Sequence, residues 1–532
     1  MPCQTSALPG YTSEEHGFAL DMSGMKLCAE ALRDVQESVI NIAYQGMIDI
    51  EAGKIKNPDE GRQVTHFTDR LAYCDSDVYT QVQEFAEEMR KRKDIDCVIV
   101  NGIGGSALGP QLMQFAVRGP YWNELSLAKR DGWLRIYFLD NTDSAGAIDV
   151  LQAVEPASAI VLTVSKSGKT RETINNRMAL EQAYEKANVD FASHAVAITQ
   201  EESGLWEYAA GNGWLKMFPM AKSIGGRTSE TNIVGHVPAA LTGVSFPRFV
   251  EGAKTMDAIT RAPRVAENPA MQLALAWYVA GNKRGDRNMV IVPYSDRLVL
   301  MGKYLQQLVM ESLGKEKSLE GETVHQGLSV FGNKGGTDAH AYIQQLNDGR
   351  DDFFATFIEI LKDGEPTREL EGGCTMGDYL HAFKQGLVRA LGDKNRMVID
   401  MVFEQLNEKS LGMLIALYER AVVFYAEMIR VNAFNQPGVE SYKDAADTVN
   451  MLAKSTRDWL NDLTGEWSGT GVDAAAEAAK MAPAELSASV AGEGREVAAL
   501  LAKYAVNERV FAGRKVTREY DKGNGVWTFT VA

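Results

Sequence analysis

The chain has 532 residues, of which 45% are hydrophobic and 24% charged, and its formal net charge is −16. These proportions are those of an ordinary globular protein with room for about two to four domains. An acidic surface repels nucleic acid and anionic membranes, so neither is expected as a partner, whereas a small phosphorylated ligand stays possible because local backbone N–H groups can bind phosphate.

Residues 1–93 are predicted to be mostly helical, and short apolar runs alternate with helical stretches after them. Such runs are typical of buried parallel strands in an α/β sheet. The first series consists of Cys97–Asn101, Ile136–Leu139, Ala159–Val164 and His194–Thr199, and a second series contains Asn288–Pro293 and Met397–Val402. Because apolar runs alternate with helical stretches in both series, the sequence predicts two α/β domains, at residues 94–245 and 246–450, joined by helices near residues 250–285.

Residues 451–532 are predicted to form a separate extension of three helices followed by a hairpin. The hairpin strands are Lys515–Tyr520 and Val526–Val531, and Gly523-Asn-Gly525 is a strong turn signal between them. The order resembles a winged helix, but residues 471–532 contain eight Lys or Arg and eight Asp or Glu. Without a basic excess, a structural or interface role is favoured over DNA binding.

Two loops rich in glycine and hydroxyl groups follow strands of the first series. The loop Asn101-Gly-Ile-Gly-Gly-Ser106 opens a helix, where an anion is favoured, although a tight turn explains it equally well. The loop Ser165-Lys-Ser-Gly-Lys-Thr-Arg-Glu-Thr173 offers more hydroxyls than one helix cap needs. Neither has P-loop or Rossmann spacing, so a monophosphate is the most economical ligand. The candidate phosphate-binding residues are Gly105, Ser106, Ser165, Lys166, Ser167 and Thr170.

The second loop, with its pattern Ser-x-Ser-Gly-x-Thr-x-Glu-Thr, resembles the sugar isomerase (SIS) domain, whose loop grips a sugar phosphate. Gly168 and Lys169 stand where the isomerase form of that family usually has an aromatic residue and a threonine. The resemblance implies an α/β protein with two SIS-type three-layer α/β/α sandwich domains and parallel sheets. A helical N-terminal segment at residues 1–93 and a C-terminal α+β extension at residues 451–532 would flank them.

The segment Leu305-Gln-Gln-Leu-Val-Met-Glu-Ser-Leu-Gly-Lys315 places Glu311 after an apolar run. A lone glutamate there would ordinarily be a solvated residue at a helix end. The Leu-Gln-Gln and Met-Glu-Ser-x-Gly-Lys patterns, however, resemble the signature of the phosphoglucose isomerase family, in which this glutamate moves a proton between C1 and C2 of a sugar. The resemblance implies that Glu311 is the catalytic base and that Gln307 contacts substrate.

Three further segments resemble the same family in the same order along the chain. Ser223–Ser229 contains Gly-Gly-Arg-x-Ser, which implies that Gly226 and Arg227 lie near the enediol oxygens, although Glu230-Thr-Asn232 departs from the family. Gly335–Gln345 matches with a one-residue shift in its glycine spacing and implies that His340 helps open the sugar ring. Asn432–Lys443 implies that Gln436 and Lys443 contact substrate, with Asn435 and Pro437 as departures.

The resemblance implies a reversible aldose–ketose isomerase acting on glucose 6-phosphate and fructose 6-phosphate through ring opening and a cis-enediol, in glycolysis and gluconeogenesis. It implies no cofactor or metal, and a homodimer in which the segment carrying His340 serves the neighbouring subunit. An isomerase that also accepts mannose 6-phosphate and a non-catalytic sugar-phosphate sensor are the alternatives. An aminating synthase is disfavoured, because Pro2 precedes Cys3 where that enzyme needs an N-terminal cysteine.

The five cysteines Cys3, Cys28, Cys74, Cys97 and Cys374 are scattered and form no CxxC pair. Their odd number predicts reduced thiols, as in a cytoplasmic protein. The first residues lack the basic and apolar regions of a signal peptide, and no stretch of ~18 apolar residues occurs. We therefore expect a cytoplasmic protein without a membrane partner.

Overall fold

The computed structural model describes residues 5–36, 38–364 and 367–532. The chain forms two compact units, Met1–Asn435 and Gln436–Ala532. The first unit contains both α/β sheets, and the second contains the C-terminal helices and hairpin. The domain borders drawn from the sequence stay predictions.

The N-terminal region of the first unit consists of helices with short strands between them. The helices are α1 (Ala29–Gln36), α2 (Ser38–Glu51), α3 (His66–Ala72) and α4 (Asp77–Lys91). The strands are β1 (Thr5–Ser6), β2 (Tyr11–Ser13), β3 (Phe18–Asp21), β4 (Leu27–Cys28), β5 (Ile55–Asn57) and β6 (Arg62–Gln63). β1 pairs with β4 and β5 with β6. The prediction of a mostly helical segment did not include these strands.

The first sheet has five parallel strands in the order β11-β10-β9-β7-β8. The strands are β7 (Cys97–Asn101), β8 (Arg135–Leu139), β9 (Ala159–Val164), β10 (Ala195–Thr199) and β11 (Lys216–Pro219). The helices are α5 (Gly105–Arg118), α6 (Ser144–Ala153), α7 (Arg171–Lys186), α8 (Gly204–Gly211) and α9 (Ile233–Leu241). Every residue of β7, β9 and β10 is buried, which explains their continuous apolar runs. The four predicted strands of this series are confirmed.

The second sheet has six strands in the order β15-β12-β16-β17-β3-β2. The strands between residues 288 and 403 are β12 (Asn288–Tyr294), β13 (Lys315–Lys317), β14 (Thr323–Gln326), β15 (Val330–Phe331), β16 (Phe353–Ile360) and β17 (Met397–Phe403). β15, β12, β16 and β17 are parallel, whereas β3 pairs antiparallel with both β17 and β2. β13 and β14 form a separate hairpin. The sheet is therefore not entirely parallel as predicted, because an N-terminal hairpin extends its edge.

The further helices of the first unit are α10 (Phe246–Ile259), α11 (Pro269–Ala280), α12 (Met301–Leu305), α13 (Ile343–Asp348), α14 (Met376–Asp393) and α15 (Glu408–Met428). Two of the longer ones, α10 and α15, pack closely against each other. A Cβ at Gly252 of α10 would lie 1.8 Å from the carbonyl oxygen of Lys409, and one at Gly412 of α15 would lie 1.9 Å from that of Phe249. The two glycines therefore permit a backbone contact between α10 and α15 that any side chain would prevent.

The second unit contains helices α16 (Pro437–Asp462), α17 (Gly471–Ala479), α18 (Ala484–Gly492) and α19 (Gly494–Val506). Its antiparallel sheet has the order β18-β21-β20-β19, with β18 (Trp467–Gly469), β19 (Val510–Phe511), β20 (Arg514–Asp521) and β21 (Val526–Val531). The pairing of β20 with β21 confirms the predicted hairpin. Trp459, Leu501 and Phe529 belong to a hydrophobic core of this unit.

The cysteines depart from the expectation of reduced thiols. Cys28 is disulfide-bonded, whereas Cys74, Cys97 and Cys374 are free. Cys3 lies outside the described residues. The prediction is wrong at Cys28, because pairing depends on distance in space and a chain without CxxC can still form a bridge. Across the described ranges, the helices lack the combination of length and apolarity that crossing a membrane requires.

Candidate active site

The two glycine- and hydroxyl-rich loops lie together at one edge of the first sheet. They follow β7 and β9, which are neighbouring parallel strands whose carboxyl ends meet at the same edge. A Cβ at Gly102 would lie 2.9 Å from Cβ of Ser106 and 3.3 Å from Cβ of Val164, the residue before Ser165. Within the second loop, the hydroxyl oxygens of Ser165 and Thr170 are 3.1 Å apart. The fold thus brings together the hydroxyls that the sequence singles out.

Gly168 explains one departure from the family pattern. Its φ is +68°, and a Cβ there would lie 2.4 Å from the backbone nitrogen of Leu205. No side chain fits that space without a shift of α8, so an aromatic residue at this position would need a different local backbone. The Ser167 hydroxyl, next to it, accepts a hydrogen bond from the backbone N–H of Lys169 at 3.3 Å.

Lys166 connects the second loop to the segment that carries Arg227. Its Nζ donates hydrogen bonds to the backbone carbonyls of Lys222 at 2.8 Å and Ile224 at 2.9 Å. Burial, and then the nearby positive charges of Arg62 and Lys222, lower the pKa of Lys166 to about 8, against the opposing effect of Glu60. Carbonyl groups therefore hold the Lys166 ammonium group in place. Its lowered pKa means that it loses its charge at a pH not far above neutrality.

Arg227 lies on a short 3-10 helix, Gly226–Thr228, that packs against the start of α5. A Cβ at Gly105 would lie 1.9 Å from the carbonyl oxygen of Gly226, so only glycine permits this approach. The Arg227 side chain is buried, and its Nη2 donates a hydrogen bond to the carbonyl oxygen of Asn435 at 3.2 Å. Burial lowers the pKa of Arg227, while the Glu311 carboxylate opposes that effect.

Glu311 is the last residue of a π-helical turn, Gln306–Glu311, which follows α12 directly. Its Oε1 lies 3.7 Å from Arg227 Nη2, and its Oε2 accepts a hydrogen bond from Gln307 Nε2 at 3.0 Å. A Cβ at Gly104 would lie 3.0 Å from the same Gln307 nitrogen. Because the Glu311 side chain keeps 23% of its surface exposed, the carboxylate is held on both sides yet open to a ligand.

Lys315 is a site residue that sequence reasoning did not single out. Its Nζ donates hydrogen bonds to the carbonyl oxygens of Glu311 at 2.7 Å and Ser312 at 2.8 Å, so it caps the turn that carries Glu311. Burial and the charge of Arg227 lower its pKa to about 7, and Glu311 acts in the opposite direction. The lysine of Met-Glu-Ser-x-Gly-Lys was the available signal, but a motif alone does not show where its lysine points.

The remaining candidates are His340, Gln436 and Lys443. His340 is exposed on a short 3-10 helix, Thr337–His340, and makes no hydrogen bond or ion pair within the described part of the chain. Gln436 and Lys443 belong to the second unit: Gln436 directly precedes α16, and Lys443 is exposed on that helix. Described side chains of His, Cys, Asp and Glu form no cluster of three or more that could hold a metal ion.

A parallel sheet with glycine and hydroxyl loops at its carboxyl edge, packed against a carboxylate–arginine pair, defines an α/β protein of the sugar isomerase type. A solved structure of a glucose-6-phosphate isomerase from Chlamydia trachomatis matches it with a TM-score of 0.73 and 28% identity, covering 83% of this chain and 89% of that one. The phosphoglucose isomerase family model matches residues 57–373. The chain belongs to the phosphoglucose isomerase family.

Curated relatives agree over most of the length. A glucose-6-phosphate isomerase of Nostoc punctiforme is 44% identical over 458 residues, covering 82% of this chain and 85% of its own. One of Thermosynechococcus vestitus is 45% identical over 455 residues, covering 82% and 84%. The family match includes Arg227, Glu311 and His340 but ends before Gln436 and Lys443.

Proposed function

We propose that this protein interconverts glucose 6-phosphate and fructose 6-phosphate, a step of glycolysis and gluconeogenesis. The observation that carries the proposal is the Glu311 carboxylate, held between Arg227 and Gln307 beside the first glycine loop. An isomerase of this kind needs a base that is fixed yet accessible, and a cation next to the charge that develops. The names of the relatives support the same substrates.

The phosphate group binds at the edge of the first sheet. Loop amides and the hydroxyls of Ser106, Ser165, Ser167 and Thr170 surround it, at the N-terminal ends of α5 and α7. The N-terminal ends of two helices and their free N–H groups favour an anion there. Gly105 lets its backbone approach that of Gly226, and Lys166 supplies positive charge nearby.

The reaction needs one base for two proton transfers. His340, with Lys443, moves a proton to and from the ring oxygen, which breaks the C1–O5 bond of glucose 6-phosphate and frees the C1 aldehyde. Glu311 removes the proton on C2, and the electron pair forms the C1–C2 double bond of an enediolate, whose oxygen charge Arg227 stabilises. A proton then passes from the C2 hydroxyl to the C1 oxygen, and Glu311 returns its own proton to C1 as the carbonyl forms at C2. The two carbons exchange oxidation state within one molecule, so the chemistry requires no external oxidant.

The assembly proposed with this mechanism is a homodimer in which the His340 segment of one chain completes the site of the other. His340 is exposed and makes no hydrogen bond or ion pair to the described residues, which supports a role in the site of another chain. We propose a cytoplasmic location as well. The free thiols of Cys74, Cys97 and Cys374 favour a reducing compartment, whereas the disulfide at Cys28 counts against it.

The experiment that tests the function is an assay of purified protein with fructose 6-phosphate. Glucose 6-phosphate is detected by its oxidation with a coupled dehydrogenase and NADP. Steady turnover that persists in a chelator is expected, and no glucose 6-phosphate above a heat-treated control would contradict the proposal. A parallel assay with mannose 6-phosphate separates a strict isomerase from one that also accepts the C2 epimer, since both sugars share the same enediol.

A further inference from the structure

A network of buried and partly buried ion pairs lies in the first unit, and its charges balance. It contains three arginines, Arg70, Arg261 and Arg420, and three carboxylates, Glu51, Asp257 and Glu419. Arg70 lies 2.6 Å from Asp257 and 2.5 Å from Glu419, and both of its partners are fully buried. With three cations against three anions, the network has no cation left for a further buried carboxylate.

Glu230 is such a further carboxyl group, and its side chain shares a hydrogen bond with that of Glu419. Its side chain is completely buried, and Oε1 accepts a hydrogen bond from the Tyr304 hydroxyl. Oε2 of Glu230 and Oε1 of Glu419 are both buried, and no N–H or O–H group of the described residues reaches either. Two carboxylates can only accept hydrogen bonds, so the pair is satisfied when one proton lies between them. Burial, together with the charge of Glu419, raises the pKa of Glu230 well above its usual range.

The surroundings of Glu230 are shaped to hold it. A Cβ at Gly109 of α5 would lie 2.5 Å from Cβ of Glu230, and a Cβ at Gly235 of α9 would lie 2.0 Å from the Glu230 carbonyl oxygen. Larger residues at either glycine would displace this segment. Gly109 therefore makes room for the Glu230 side chain and Gly235 for its backbone, while Tyr304 binds the carboxyl group.

The position of Glu230 links the segments of the candidate site. It follows Arg227 by three residues, and Tyr304 precedes Glu311 by seven, at the entry to the π-helical turn. α5, which packs on Glu230 at Gly109, follows the loop at residues 101–106 that is proposed to bind phosphate. Its partner Glu419 also lines a cavity of about 20 Å³ together with Arg227, enough for about one water molecule.

We propose that Glu230 is a positioning residue kept as a neutral carboxylic acid. It accepts a hydrogen bond from Tyr304 and donates its own proton to Glu419, and in this way it fixes the segment of Arg227 relative to the turn that carries Glu311. The inference rests on the proposed isomerase function. It assigns a role to the Glu230-Thr-Asn232 segment, where the sequence departs from the family.

Three variants test the positioning. Glu230→Gln keeps an acceptor for Tyr304 and a donor for Glu419, so we expect kcat within about twofold of the wild type. Glu230→Met and Tyr304→Phe remove those bonds at nearly the same volume, and we expect kcat to fall about tenfold with KM little changed. Tyr304→Phe removes a single oxygen and keeps the test valid if Glu230→Met does not fold.

A purely structural role would lower the melting temperature while leaving kcat unchanged well below it. Wild-type kcat in Tyr304→Phe would therefore overturn the positioning role, and so would an equal loss of kcat in Glu230→Gln and Glu230→Met. Absence of isomerase activity in the wild type is a different result, because it contradicts the proposed function itself.

Two measurements follow the proton independently of activity. The infrared carbonyl stretch of a protonated carboxylic acid should be present in the wild type at neutral pH and absent in Glu230→Gln. A spectrum without that band would overturn the neutral acid whether or not the protein is an isomerase.

The second measurement is thermal stability against pH. The folded state keeps a proton that the unfolded chain releases above about pH 4.5, so wild-type stability falls relative to Glu230→Gln as pH rises. The groups facing Glu230 are Tyr304 and Glu419, with Arg70, Asp257 and Arg420 behind them, and they are the same in both proteins. The difference in melting temperature should widen from pH 5 to pH 8, and a constant difference would contradict the assignment.

Discussion

Glu311 and His340 both come from segments that resemble one family, yet their surroundings are opposite. Glu311 is the last residue of a π-helical turn, and its carboxylate lies between Arg227 and Gln307. Lys315 donates a hydrogen bond to the backbone carbonyl of Glu311. His340 lies exposed on a short 3-10 helix, with no hydrogen bond or ion pair to the described residues. The comparison shows that the chain itself fixes the carboxylate proposed as the base beside an arginine, whereas it leaves the histidine proposed for ring opening exposed.

The largest effect should come from Glu311→Gln. The amide keeps the shape and the contact with Gln307 but cannot take up the proton from C2. We expect kcat to fall by at least ~10²-fold with little change in KM. Glu316→Gln, an exposed neighbour, is the matched control and should be unaffected. Near-normal turnover in Glu311→Gln would show that the preorganised carboxylate is not the base.

Subunit exchange sharpens the contrast most directly. If His340 serves the neighbouring site, mixing inactive Glu311→Gln and His340→Ala chains puts both changes in one site of each heterodimer and leaves the other site intact. At equal amounts, random pairing should restore about one quarter of wild-type activity. No recovery after verified exchange would place His340 and Glu311 in the same chain's site, and full activity in a dilute monomer would contradict the shared site altogether.

A smaller effect is expected at the two loops proposed to bind phosphate, which the chain also holds in place by itself. Ser165→Ala combined with Thr170→Ala removes two adjacent hydroxyls, and we expect KM for fructose 6-phosphate to rise about tenfold with kcat less affected. Ser158→Ala, at the opposite end of β9, is the control for general effects on this strand. An unchanged KM in the double variant would remove these hydroxyls from the site.

The smallest effect concerns pH. The pKa of Lys166 is lowered to about 8, so its side chain is cationic below that pH and loses its charge above it. If the cation assists phosphate binding, KM should rise a few-fold as pH increases through about 8 to 9, and Lys166→Met should lack that dependence. Lys222→Met, a nearby exposed lysine, should keep it. Identical pH profiles of KM for wild type and Lys166→Met would exclude the role.

Much of the fold was predictable, because buried parallel strands leave continuous apolar runs and turns leave glycine signals. Four of the five strands of the first sheet and the hairpin of β20 and β21 follow from that rule. The antiparallel edge formed by β2 and β3 did not, because such short strands carry little periodicity and their pairing with β17 is decided by distant parts of the chain.

The part of the candidate site that lies in family motifs could be predicted from the sequence. Arg227, Gln307 and Glu311 are brought together as the family pattern implies. Lys315 was not singled out, because it binds backbone carbonyl groups whose direction a sequence does not show. Glu230 was not singled out, because its burial and its contacts depend on residues more than fifty positions away. Glu230 was visible only as a departure from the family, and its meaning required knowledge of Glu419 and Tyr304.

Because Glu311 ends the π-helical turn Gln306–Glu311, the direction of its side chain depends on the number of residues in that turn. A π turn is equivalent to an α-helix with one inserted residue, and each residue of an α-helix turns the chain by about 100°. Deleting a single residue between Gln306 and Met310 would remove the bulge, and the side chains of this turn would then leave the helix at different angles from those that now place the carboxylate beside Arg227 and Gln307. We therefore expect the length of this segment to be kept in functional variants, even where its side chains change.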